Sequence, residues 1–177
     1  MRCPLHMMKI APVTRIAFAV VIALALAPAS PLSAADSTND LVALAQSSWG
    51  ISIDKFPDRA GLKAGEYSQG KKPPPLPQDV DVIMPFYQQT QGRWTPQELF
   101  PLEFDFAGAA GLQKITGFLP SGTSQDAVVA RIIDSYGQPS KSATALNMTT
   151  YAWEIGNTTL EISPILFELF PTNHPPN

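Results

Sequence analysis

The stretch LEFDFAGAAGLQKITGFLPSGTSQDAVVARIIDSYGQPSKSATALNMTTYAWEIGNTTLEIS, residues 102–163, decides the fold because two hairpin signals flank one helix signal. Apolar residues alternate with acidic ones over residues 102–106, which predicts a strand with one buried face. The glycine-bounded run 108–111 predicts a loop, and residues 112–119 predict the return strand. The first part of the stretch therefore predicts an antiparallel hairpin.

The helix signal follows this hairpin. Thr123 with Asp126 fits the capping pattern in which a hydroxyl satisfies free amide groups of the first turn. Gly137 and Pro139 predict the end, since glycine adopts the left-handed conformation there and proline prevents resumption. The apolar stripe at helical spacing comprises Val128, Val129, Ile132, Ile133 and Tyr136.

The second hairpin is centred on Gly156-Asn157, which is a two-residue turn signal. A turn at these residues places the large apolar side chains on one face and Glu154 with Thr159 on the other. The predicted pairs on the apolar face are Ile155 with Thr158, Trp153 with Leu160, and Tyr151 with Ile162.

Four strands and one helix predict an α+β fold. We expect two layers, with an antiparallel sheet of about four strands packed on one main helix and short N-terminal helices. The predicted segments are a signal peptide over 1–35, an N-terminal helical segment over 36–66, a Pro-rich connector and loop over 67–101, the hairpin–helix–hairpin core over 102–170, and a disordered tail over 171–177.

The first 35 residues have the three parts of a secretory signal peptide. Basic residues precede an apolar run over 16–27, and small residues lead to a predicted cleavage site near Ala35. Removal of this segment takes away three of the 12 basic residues and none of the 15 acidic ones. We therefore expect a mildly acidic periplasmic or secreted protein without stable membrane insertion, whose charge does not favour nucleic-acid binding.

The best candidate for a recognition surface lies between residues 86 and 94. Phe86, Tyr87, Arg93 and Trp94 are residue types enriched in protein interfaces, and they occur in an otherwise polar segment. The alternative is that Phe86 and Trp94 simply fill the core, as large aromatic side chains usually do.

The sequence has few residues of the types that catalyse reactions. Without residues 1–35 the chain has no cysteine and only one histidine, His174 near its end, and it contains no Gly-x-Ser-x-Gly elbow. We expect a non-enzyme with no cofactor and no metal site. The alternative uses Glu103 and Asp105, about 7 Å apart on one face of a strand, as a glycosidase pair or calcium site. Against it, such residues usually form the solvated face of a half-buried sheet.

Residues 121–163 combine a helix, a Gly-x-Pro stop at 137–139 and the aromatic strand Tyr151-x-Trp153. This combination resembles small exported bacterial α/β domains, namely outer-membrane assembly lipoproteins and β-lactamase-inhibitor-like modules. The resemblance implies binding of another protein through the sheet or its loops. We expect a binding module for a cell-envelope protein, such as an inhibitor or immunity protein against an envelope-acting enzyme. The alternatives are a structural accessory of envelope assembly and a carboxylate-dependent glycan hydrolase.

Overall fold

A computed structural model describes residues 34–72, 80–90, 92–96, 101–119 and 122–173. The predicted signal peptide up to residue 33, and the end of the predicted tail with His174, lie outside these residues. So does the middle of the Pro-rich run, residues 73–79. No helix of the described part is long and apolar enough to cross a membrane.

Three α-helices and ten strands make up the described chain. The helices are α1 (Ala34–Ser48), α2 (Phe56–Ala60) and α3 (Gln125–Tyr136), and a 3₁₀ turn spans Gly108–Ala110. The strands are β1 (Tyr67–Lys71), β2 (Val80–Pro85), β3 (Tyr87–Thr90), β4 (Arg93–Pro96), β5 (Leu102–Ala107), β6 (Leu112–Phe118), β7 (Lys141–Ala145), β8 (Met148–Ile155), β9 (Thr158–Ile162) and β10 (Leu166–Pro171).

Eight of the strands form one antiparallel sheet in the order β1-β2-β5-β6-β10-β9-β8-β7, and β3 and β4 form a separate two-stranded hairpin. The chain leaves β6 in the middle of the sheet and passes through α3. It then enters β7 at the far edge and returns by a meander through β8 and β9 to β10. Because β10 pairs with both β6 and β9, it joins the two hairpins into one sheet.

Both predicted hairpins are confirmed. β5 pairs with β6, and the β8–β9 register matches the predicted pairs, including Trp153 with Leu160 and Glu154 with Thr159. The helix is also where its apolar stripe predicted it, but its cap differs. The Oγ of Ser124, rather than Thr123, accepts a hydrogen bond from the backbone N–H of Ala127 at 3.2 Å. Ser124 is therefore the N-cap residue.

The predicted fold class is wrong. The protein is mostly β, with a sheet of eight strands instead of about four, and it is not a two-layer sheet on one main helix. The longest helix is α1, which contacts both α3 and the sheet. The additional strands of the sheet are β1, β2, β7 and β10, and one of them, β7, lies within the hairpin–helix–hairpin stretch, between α3 and β8. β10 pairs with β6, and β2 with β5, across intervening elements, which local periodicity does not reveal. The small residues of β7 show no alternation of hydrophobicity, although its partner β8 is the next strand in sequence.

The core lies on one face of the sheet, here called the inner face, against which the helices pack. Phe56 of α2 contacts Phe104 and Phe106 of β5, with ring centroids 4.6 and 5.3 Å apart. Trp153 of β8 is buried, and its indole N–H donates to the carbonyl of Gly137 at 2.9 Å, just after α3. The opposite, outer face carries Glu103 and Asp105, because successive strand residues point to opposite faces.

Candidate functional site

The β3–β4 hairpin holds most of the predicted recognition residues and is fixed to the body of the protein through Trp94. This side chain is half-buried and packs against the core. Its indole N–H donates to the carbonyl oxygen of Ala60, at the end of α2, at 2.9 Å. Gly61 then turns the chain away with a left-handed backbone, φ 69°. Trp94 therefore anchors the hairpin.

Phe86 lies at the corner between β2 and β3, and its side chain is 53% exposed. Its backbone is nevertheless fixed, since its N–H donates to the carbonyl of Glu66 at 2.7 Å and the preceding Pro85 is buried. Met84, two residues earlier, is also exposed. A large aromatic side chain on a fixed backbone is thus open to solvent at this corner.

Tyr87 and Arg93 complete the predicted set and occupy the two ends of the hairpin. Tyr87 pairs with Pro96 at the base, where it is half-buried. Arg93 pairs with Thr90 at the turn and is exposed. The three-residue step from base to turn corresponds to about 10 Å along a strand. The structure therefore places all four residues on one corner and hairpin, with two side chains open to solvent.

Glu103 and Asp105 do not form an open carboxylate pair. The ammonium of Lys72 lies between them, 2.7 Å from Oε1 of Glu103 and 2.6 Å from Oδ2 of Asp105. The side chain of Asp105 is only 7% exposed. Lys72 is the residue directly after β1 and lies 33 residues before Asp105 in the sequence. The cation therefore occupies the place where a substrate group or metal would have to bind.

Burial and this shared cation move the pKa values of the cluster apart. Burial raises the pKa of Asp105 from 3.8 to about 6, and its contact with Lys72 only partly offsets this. Burial acts on Glu103 in the same direction and is the largest single effect, but the hydrogen bonds to Lys72 and Asp105 and the charges of Lys72 and Lys114 together outweigh it, so the pKa of Glu103 is lowered. For Lys72 burial alone would lower the pKa, and its bonds to Asp105 and then Glu103 raise it.

A charged row continues from this cluster across the outer face. Glu103 pairs with Thr116, Thr116 with Glu168, and Glu168 with Glu161 on the next strand. Lys114 neutralises Glu168 at 3.0 Å. Burial and the neighbouring charge of Glu168 raise the pKa of Glu161. These internal pairs use charges that would otherwise attract an ionic ligand.

Within the described ranges, no group of three or more histidine, cysteine, aspartate or glutamate side chains is arranged to hold a metal ion. The two carboxylates of β5 contact the ammonium of Lys72 instead.

Two features of possible functional importance had no clear signal in the sequence. The first is Lys72, which stands at the start of a proline run that predicts only a connector. The second is the β7–β8 turn, where Leu146 and Asn147 both have positive φ, 51° and 63°, and Leu146 is 90% exposed. A two-residue turn of this kind usually contains Asn-Gly or Asp-Gly, so Leu-Asn gives no turn signal in the sequence.

Comparisons with known protein families, characterised proteins and solved structures find no match to this chain. The resemblance of residues 121–163 to small exported domains therefore stays a prediction.

Proposed function

We propose that this chain is an exported, non-catalytic protein-binding module that contacts its partner through the corner and hairpin formed by residues 84–96. The observation that carries the proposal is the exposure of Phe86 on a backbone fixed at both sides. Exposed aromatic and arginine side chains dominate the binding energy of many protein interfaces.

The anchoring of the hairpin supports the same function. A partner that binds a preformed surface does not have to order it, which lowers the entropic cost of association. Trp94 holds the hairpin in place, whereas the side chains of Phe86 and Arg93 are exposed and can contact a partner. In this proposal Trp94 is a positioning residue.

In this proposal the Lys72–Glu103–Asp105 cluster stabilises the fold and takes no part in binding or catalysis. A glycosidase requires two carboxyl groups that reach the sugar and a water molecule. Here both carboxylates contact one ammonium, and Asp105 is almost inaccessible to solvent. The hydrolase alternative is therefore less well supported by the geometry than protein binding.

The test is capture of partners from envelope and secreted fractions of the producing cell, followed by measurement of affinity for each captured protein. We expect Phe86→Ala and Arg93→Ala each to weaken binding about tenfold or more, which is typical of central interface residues. Ile165→Ala is the matched control, since Ile165 is an exposed apolar residue on a different loop. An envelope-acting enzyme as partner supports an inhibitor, and a resident membrane complex supports a structural accessory. Equal effects of the three substitutions would refute the proposed surface.

A further inference from the structure

The edge strand β7 has the features of a self-pairing surface. Among the described residues, β7 pairs with β8 alone, and all five of its residues, Lys141 to Ala145, are exposed. An open edge presents unpaired backbone N–H and C=O groups that readily accept another strand. Proteins usually protect such edges with charges, prolines or bulges.

Protection of this kind is confined to the start of β7. Its only charge, Lys141, stands at one end and forms an ion pair with Glu154 at 3.1 Å. The remaining residues are Ser, Ala, Thr and Ala, whose small side chains let a second strand approach closely.

The turn geometry defines which backbone groups face outward. Ala145 and Met148 flank a two-residue turn, so they form a hydrogen-bonded pair, and such pairs alternate along an antiparallel ladder. The N–H and C=O groups of Ala143 therefore point toward β8. Those of Ser142 and Thr144 point to the open side.

We infer that a second copy of this chain pairs antiparallel with β7 about a two-fold axis through Ala143. Ser142 of each copy then pairs with Thr144 of the other, and each pair exchanges two backbone hydrogen bonds. Ala143 is the only residue of β7 that lies opposite the same residue of the other copy. This pair is not hydrogen-bonded, so its two side chains are close together, and a methyl group fits there. Lys141 lies opposite Ala145, so no like charges face each other.

The same register accounts for the exposed turn. Leu146 of one copy lies level with Ser140 of the other, beside Pro139. A leucine at positive φ costs about 1–3 kcal/mol of strain, and such strain is typical of contact sites. The pairing gives this apolar side chain a neighbouring surface to cover it.

The experiment is sedimentation equilibrium of the protein, expressed from the full chain and purified as the host cell processes it. A five-residue edge buries less than a standard interface of about 1,600 Å², so we expect a weak dimer with a Kd above about 10 µM. A monomer at about 1 mM would overturn the proposal.

Charge substitutions at the two-fold axis test the register. Ala143→Lys alone and Ala143→Glu alone should each weaken dimerisation at least tenfold, and an equal mixture of the two should restore it. Ser142→Pro should abolish dimerisation, because it removes an outward N–H and leaves the β8 ladder intact. Ile165→Lys is the charge control and should have no effect. A dimer unaffected by Ala143→Lys, or a mixture that does not reassociate, would overturn the inference. Circular dichroism and Trp153 fluorescence check that each variant is folded.

Discussion

Asp105→Asn is expected to stabilise the protein at pH 8, although it removes one charge of an ion pair. Burial raises the pKa of Asp105 from 3.8 to about 6. Because the folded pKa is above the unfolded one, the folded state holds the proton more tightly between these values. The stability that this group contributes is fully present below pH 3.8 and is lost as the pH rises through about 6.

The magnitude follows from the difference between the two pKa values. At about 1.4 kcal/mol per pH unit, it corresponds to a loss of about 3 kcal/mol in the free energy of unfolding above pH 6. Asparagine has the shape of the neutral acid and avoids this loss, while its carbonyl still accepts from Lys72. The stabilisation by Asp105→Asn should therefore grow from near zero at pH 4 to as much as about 3 kcal/mol at pH 8.

Urea unfolding of the wild type and the variant at pH 4, 6 and 8 measures this difference. Glu103→Gln should act in the opposite direction at pH 8, because Lys72 lowers the pKa of Glu103 and so favours its ionised form. Asp81→Asn is a control, since its ion pair with Lys71 is partly exposed to solvent, and it should change stability by less than about 1 kcal/mol. If Asp105→Asn destabilised the protein at pH 8, or if its effect were independent of pH, the reasoning would be refuted.

Two further predictions concern packing and capping, and both are measured by thermal or urea unfolding. Gly117→Ala should destabilise by about 1–3 kcal/mol, because a Cβ at Gly117 would lie within 3 Å of Phe167 and Leu102, whereas Gly70→Ala enters open space and should be nearly neutral. An equal cost at both glycines would contradict this. Ser124→Ala should cost about 1 kcal/mol through loss of the α3 cap, and Thr123→Ala should cost clearly less. The reverse order would show that Thr123 is the cap.

Local signals predicted the parts of the fold that depend on neighbouring residues. The alternation around Gly156-Asn157 determined the β8–β9 register, and the apolar stripe with Gly137 determined α3. The signals failed in two places. The small polar residues of β7 have no alternation of hydrophobicity, although their partner β8 is the next strand, and the pairing of β10 with β6 joins strands that are distant in sequence. Pro57, a residue type that usually ends a helix, lies in the first turn of α2, where its missing N–H costs nothing.

For the recognition residues, too, the local sequence predicted the location but not the role of each side chain. Their types predicted a surface at Phe86, Tyr87, Arg93 and Trp94, but not that Trp94 would be the anchor and Phe86 the exposed side chain. That division depends on the carbonyl of Ala60, 34 residues before Trp94. For Glu103 and Asp105, strand periodicity predicted a shared face, but the approach of Lys72 from β1 had no local signal.

Photo-crosslinking in the producing cell tests the central claim, that the protein binds another protein through Phe86, most directly. A photoreactive phenylalanine analogue would replace Phe86 in one strain and Ile165, on a separate exposed loop, in another. Binding through this surface predicts one strong crosslinked protein from position 86 and none from position 165. Absence of a crosslink at position 86, or the same products from both positions, would contradict it.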